Sequence, residues 1–136
     1  MIRPIVTSPM MLRMPSVDAT PEDAATGQDL LDTLAAHTHE CVGMAANMIG
    51  VSKRIIVVQD GPRARLMYNP IVLERANEYE TKEGCLSLPG TRPATRYRRI
   101  KVSYLDESFQ PITKTITGYT AQIIQHEVDH CDGILI

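Results

Sequence analysis

The stretch that most constrains this chain is Gln125-His126-Glu127-Val128-Asp129-His130, close to its C-terminus. On an α-helix of 3.6 residues per turn, His126 and His130 project from one face, near enough for both imidazoles to reach a single ion. Glu127 then sits beside that ion. Neutral imidazole is a good ligand for zinc or ferrous iron, and a neighbouring carboxylate can take the proton of an attacking water. The segment therefore points to metal-assisted hydrolysis of a carbonyl compound. Two nitrogens leave such a site incomplete, since catalytic sites usually have three protein ligands and one open position. The remainder of the chain must supply a third ligand, a substrate wall and donors for the carbonyl oxygen.

Punctuation residues place this segment. Arg99–Leu105 alternates apolar and polar residues as a half-buried strand does, Asp106–Gln110 reads as a turn, and Ile112–Ile116 returns as the hairpin partner. Gly118 breaks that strand, Tyr119–Cys131 reads as the helix, and Asp132-Gly133 stops it. Further upstream, Arg54–Val58 is a short buried strand, while Leu66–Tyr68 and Ile71–Leu73 read as strand pieces separated by Asn69-Pro70. Thr20-Pro21-Glu22-Asp23 has the chemistry of a helix start, and Leu30, Leu31 and Leu34 mark the buried stripe of that helix. Residues 1 to 20, with Pro4, Pro9 and Pro15, read as an extended arm. The expected fold class is α+β: short antiparallel strands wrapped around a central helix that carries the histidine pair, in a single domain over residues 1–136.

Composition narrows the function classes. With 14 basic and 16 acidic residues the formal charge is −2, which gives no electrostatic case for nucleic acid. No apolar run approaches a membrane span and the N-terminus lacks the apolar core of a secretory signal, so a cytoplasmic protein is expected. Cys41, Cys85 and Cys131 are an odd number at no disulfide-like spacing, which leaves a thiolate available for a metal.

Glu83-Gly84-Cys85-Leu86-Ser87 followed by His126-Glu127-x-x-His130 resembles the peptide deformylase family. A third motif of that family, GxGxAAxQxG, has a recognisable relative at Cys41–Gly50. The resemblance implies removal of the N-formyl group from the initiator methionine of new polypeptides, releasing formate. It implies Fe²⁺ as cofactor, with Zn²⁺, Ni²⁺ or Co²⁺ able to substitute, held by Cys85, His126 and His130. Glu127 becomes the general acid/base, and the backbone N–H of Leu86 a donor to the formyl oxygen. Val42, Gly43 and Met44 correspond to the edge along which the peptide adds as a strand. Arg92 lies where the family has an arginine near the substrate face, and Val42, Leu86 and Ile123 line the methionine pocket. The implied partners are N-formylmethionyl nascent peptides, and contact with the ribosome is compatible with that role.

One departure bears on activity. Met48 stands where the family has a glutamine whose amide donates to the formyl carbonyl, and a thioether has no proton to give. Losing one oxyanion donor costs on the order of 10² to 10³ in turnover. Asn47 is offset by one residue and is not counted as a replacement. Two rival readings follow: a metal-binding relative with weak or different amidohydrolase activity, and a non-enzymatic peptide- or ribosome-binding module. Outside the motifs, Cys41 and Cys131 read as structural, His37 and His39 as helix-end residues outside the site, and Asp129 as a structural carboxylate. Glu83 reads evenly as a partner of a metal-bound imidazole or as neither, and Arg96-Tyr97-Arg98-Arg99 as the solvated edge of a strand.

Overall fold

The first four residues of strand β2 (Ile55–Asp60) are all apolar, so this strand is buried on both faces. Ile55 and Val57 face one side, Ile56 and Val58 the other, and all four are inaccessible to solvent. Two helices cover those faces in the computed structural model, which describes all 136 residues. Helix α2 (Ala24–Ala36) packs Leu30 and Leu34 against Ile55, Val57, Leu66 and Tyr68. Helix α3 (Gly118–Cys131) packs Ala121, Ile124 and Val128 against Ile56, Val58, Ile100 and Val102. Close approach of α2 depends on Gly27, where a β-carbon would collide with the Tyr68 hydroxyl.

Between the helices lies a five-stranded antiparallel meander in the order β1 (Gly43–Ala45), β2, β3 (Arg63–Cys85), β4 (Leu88–Leu105) and β5 (Pro111–Thr117). The expected α+β architecture is thus present, with α3 laid on one face of the sheet. The helix start at Thr20 also holds. Its hydroxyl accepts from the Glu22 N–H while Asp23 accepts from the Thr20 N–H, capping a 3₁₀ turn that runs into α2.

Three expectations change. The first twenty residues are not wholly extended: Ser8 caps a short helix α1 (Pro9–Leu12), which drives Leu12 fully into the core. Asn69-Pro70 does not divide β3. Asn69 adopts a left-handed φ of 52° at a register shift, and the strand continues to Cys85. The Asn69 side chain meanwhile accepts from the Ala19 N–H (2.7 Å) and donates to the Ala19 carbonyl (3.0 Å), clamping the N-terminal arm. Finally, Arg96 does not lie on a solvated edge. It is buried among acidic partners, and only Arg98 and Arg99 of that run are exposed.

The long β3–β4 hairpin matters most for the site. Its tip is Cys85-Leu86-Ser87-Leu88, with Cys85 paired to Leu88 across the turn, so the ribbon carries Cys85 out over α3.

Candidate active site

Helix α3 places the His126 and His130 Nε2 atoms 3.2 Å apart, and the hairpin tip brings the Cys85 Sγ to 3.3 Å from His130 Nε2. The three ligand atoms lie within 4.8 Å of one another. Metal–ligand bonds of about 2.0–2.3 Å in tetrahedral geometry set neighbouring ligand atoms roughly 3.3–3.6 Å apart, so the cluster has the span of a metal site. Its electrostatics fit as well. Burial pulls the His126 pKa down, but Glu127, Cys85 and Glu83 outweigh it and push it up to about 10. Burial and then the charge of His126 push His130 down to about 3, keeping it a neutral imidazole. His130 is thus available as a neutral ligand, whereas His126 would release its proton on binding a metal, as ligand imidazoles do.

A buried acid–base network orients the first imidazole. Glu83 Oε1 lies 2.8 Å from His126 Nδ1, directing His126 Nε2 toward Cys85 and His130. Three bonds of 2.7–3.1 Å from the Arg96 guanidinium and one of 2.8 Å from Gln122 Nε2 hold Glu83 in turn. Arg96 also donates to Asp129 Oδ2 at 2.7 Å. Burial pushes the Glu83 carboxyl up, but its bonds to His126, Arg96 and Gln122 prevail and hold it near 2. Glu83 is thus a partner of the imidazole, and Asp129 is structural.

Glu127 is buried and its Oε1 has no hydrogen-bond partner. Burial, aided by Glu83 and Asp129 against the lowering effect of His126 and Arg96, raises its pKa to about 7, where a carboxyl both accepts and returns a proton at neutral pH. Gly43 makes room for it: a β-carbon there would stand 2.9 Å from Glu127 Oε2 and 2.6 Å from the Ile123 side chain.

These groups open onto a cavity of about 780 Å³ whose walls include Val42, Gly43, Met48, Leu86 and Ile123. Two other residues singled out from the sequence are not among its lining. Met44 is fully buried in the core, and Arg92 sits on β4 opposite Glu83 with a buried, unpartnered Nη1. Met48 is almost wholly buried, and Asn47 cannot stand in for the missing amide because its Nδ2 is spent on the His130 carbonyl at 2.8 Å. Sequence reasoning missed Gln122 and Tyr119 in the lining, although Gln122 lies one helical turn before His126 and so shares its face. His39, set aside as a helix-end residue, also lines the cavity, because α2 ends at Ala36 and the following turn bends over the cleft. Cys41 lines it too, as a neutral thiol pushed up to about 11 by burial and by Glu127. Cys131 is core, raised to about 12 by burial.

Comparison with known proteins agrees with this geometry. The family model for polypeptide deformylase matches residues 2–136. A peptide deformylase of Clostridium beijerinckii is 49% identical over 136 residues, covering 100% of both chains. A peptide deformylase of Pelotomaculum thermopropionicum is 44% identical over 109 residues, covering 78% of this chain and 70% of that one. Among solved structures, the peptide deformylase of Thermotoga maritima superposes with a TM-score of 0.88 at 31% identity, over 99% of this chain and 94% of that one. A class I type b peptide deformylase from Acinetobacter baumannii with Met-Ala-Ser bound gives 0.88 at 28% identity, over 99% and 97%. The full-length match, together with a thiolate and two imidazoles converging beside a buried carboxyl, shows that the chain belongs to the peptide deformylase family of metal-dependent hydrolases acting in protein biosynthesis.

Proposed function

We propose that a single domain spanning residues 1–136 hydrolyses the formamide of N-formylmethionyl nascent peptides, with Cys85, His126 and His130 as metal ligands and Glu127 as the proton carrier. The convergence of the three ligand atoms, with Cys85 and His126 lining a cleft also walled by Gly43, Leu86 and Ile123, carries this reading. Fe²⁺ is the native ion in this reading, with Zn²⁺, Ni²⁺ or Co²⁺ able to replace it, because a thiolate and two imidazoles suit each of them. A bound ion would supply Lewis acidity and make water nucleophilic near neutral pH.

The residues of the chain supply the rest. Glu127 accepts a proton from the water that attacks the formyl carbon and returns it to the departing amine nitrogen, leaving formate and a free N-terminus. The Leu86 N–H donates to the formyl oxygen as negative charge develops there. Glu83, fixed by Arg96, holds the His126 ring in place. Val42, Leu86 and Ile123 exclude water around the methionine side chain, and the Gly43 edge accepts the peptide as an added strand. The substrate is met in the cytoplasm, at or after its exit from the ribosome, with no specific nucleic-acid contact.

The test is formate release from formyl-Met-Ala-Ser by anaerobically prepared, iron-loaded protein beside Glu127→Ala. Turnover by the wild type and its loss in the variant is the expected result. Equal rates in the two would overturn the reading. Met48 motivates a second reading, a relative that turns over another small amide; formate release absent from the formyl-Met peptide but present with other formamides would select it.

A further inference from the structure

Beyond the metal cleft, a second cavity of about 490 Å³ lies between the start of α3 and the β3–β4 ribbon. It adjoins the first: Tyr119 and Gln122 line both. Its other walls are Asn77, Tyr79, Arg98, Arg99, Thr117 and Gly118, with no carboxylate among them. The Arg98 guanidinium stacks 4.6 Å over the Tyr79 ring, which fixes its position. Neither Arg98 nor Arg99 has a carboxylate within ion-pair distance, whereas Arg96 of the same strand meets both Glu83 and Asp129 at 2.7 Å. Two adjacent cations are thus left without counter-charge in a cavity that shares two wall residues with the substrate cleft. The first turn of α3, which has no acidic residue and no side-chain cap, ends at the same place and adds positive potential.

We propose that this cavity is a carboxylate subsite of the peptide cleft, in which Arg98 holds an acidic group of the formylated peptide. The inference rests on the proposed peptide substrate. At a rise of about 1.5 Å per residue, Gln122 stands roughly 6 Å and Gly118 roughly 12 Å from His126 along α3. An extended peptide advances about 3.4 Å per residue. The carboxylate can therefore come from an acidic side chain a few residues downstream of the formyl group, from a short peptide's C-terminus, or from a long first side chain. The chemistry is the same in each case, a carboxylate meeting a preoriented guanidinium.

The test uses calorimetric binding of product-like tetrapeptides to the full-length, zinc-loaded protein. The parent is Met-Ala-Ser-Ala amide, with Glu or Gln placed at each position in turn, plus the parent with a free C-terminal carboxylate. Glu at one position binding about tenfold tighter than Gln there is the expected result, the size of one charge-assisted contact; the position identifies the source. Arg98→Gln should erase that preference without changing affinity for the neutral parent, and Arg75→Gln, on the same ribbon outside the cavity, should preserve it. Equal binding of Glu and Gln at every position with no gain from a free C-terminus, or a preference that survives Arg98→Gln, overturns the subsite. Formate release from the neutral formyl-Met-Ala-Ser amide is measured separately. Release without any acid preference removes the subsite alone, whereas an acid preference without release removes the deformylase reading and leaves the subsite.

Discussion

Replacing Met48 by Gln should accelerate the enzyme. The cavity beside Cys85 and His126 contains no free amide donor, because Asn47 Nδ2 is bound to the His130 carbonyl and Gln122 Nε2 to Glu83. The exposed Lys82 and Tyr119 lie at the rim rather than in its depth. A glutamine has nearly the length of the methionine it replaces and would bring an amide N–H to the buried position now held by a thioether. One preorganised donor to a developing oxyanion is worth roughly 2.7–4 kcal/mol, so kcat/KM for a formyl-Met peptide should rise by about 10² to 10³. The new amide brings an oxygen and a nitrogen to a buried position, and each one left without a partner in the resting protein costs about 1–3 kcal/mol of folding stability. The variant should therefore be faster and less stable. Formate release, metal content and urea unfolding measured on the same preparations test this. A rate within threefold of wild type at equal metal content would refute the reasoning, because it would mean that another group already stabilises the formyl oxygen.

Arg96→Met removes the main partner of a buried carboxylate. Breaking such a pair costs about 3–5 kcal/mol, and the His126 and Gln122 bonds that Glu83 keeps should bring the loss to the lower end in urea unfolding. Because the folded protein holds Glu83 near 2, below its ordinary value of 4.5, its contribution is fully present above about pH 4.5 and is lost as the pH falls toward 2. Acid titration should show that loss flattened in Glu83→Gln. Gly43→Ala, whose methyl would press on Glu127 and Ile123, should lower kcat by tenfold or more with little change in metal content; unchanged kcat would show that Glu127 has room to move. Cys85→Ala should reduce the bound metal recovered on purification at least tenfold, read by metal analysis.

The legible part of this protein lay where chemistry and local periodicity coincide. His126 and His130 share a face because of helical spacing alone, and Thr20-Pro21 caps a helix start whatever the chain does elsewhere. Glu83-Gly84-Cys85-Leu86-Ser87 could be matched to a motif, but its sequence does not say that it is the tip of a long hairpin reaching over α3. That placement is a matter of strand register, set by pairing between residues distant in the chain. Asn69-Pro70 looked like a break because a bulge and a turn use the same residues, and only pairing with β4 distinguishes them.

Arg96 shows the limit most clearly. In sequence it is one of three arginines around a tyrosine, indistinguishable from Arg98 and Arg99. The tertiary structure buries it between Glu83 of β3 and Asp129 of α3, and leaves the other two facing a cavity. The sequence by itself offered the histidine pair and Glu127 through short-range helical spacing, and Cys85 and the thioether at Met48 through motifs shared with a family. Only the tertiary structure decided that Glu83 orients His126, that Asn47 is spent on the end of α3, and that Gln122 lines two cavities. Each of these is a contact between segments that meet only when the sheet closes over the helix.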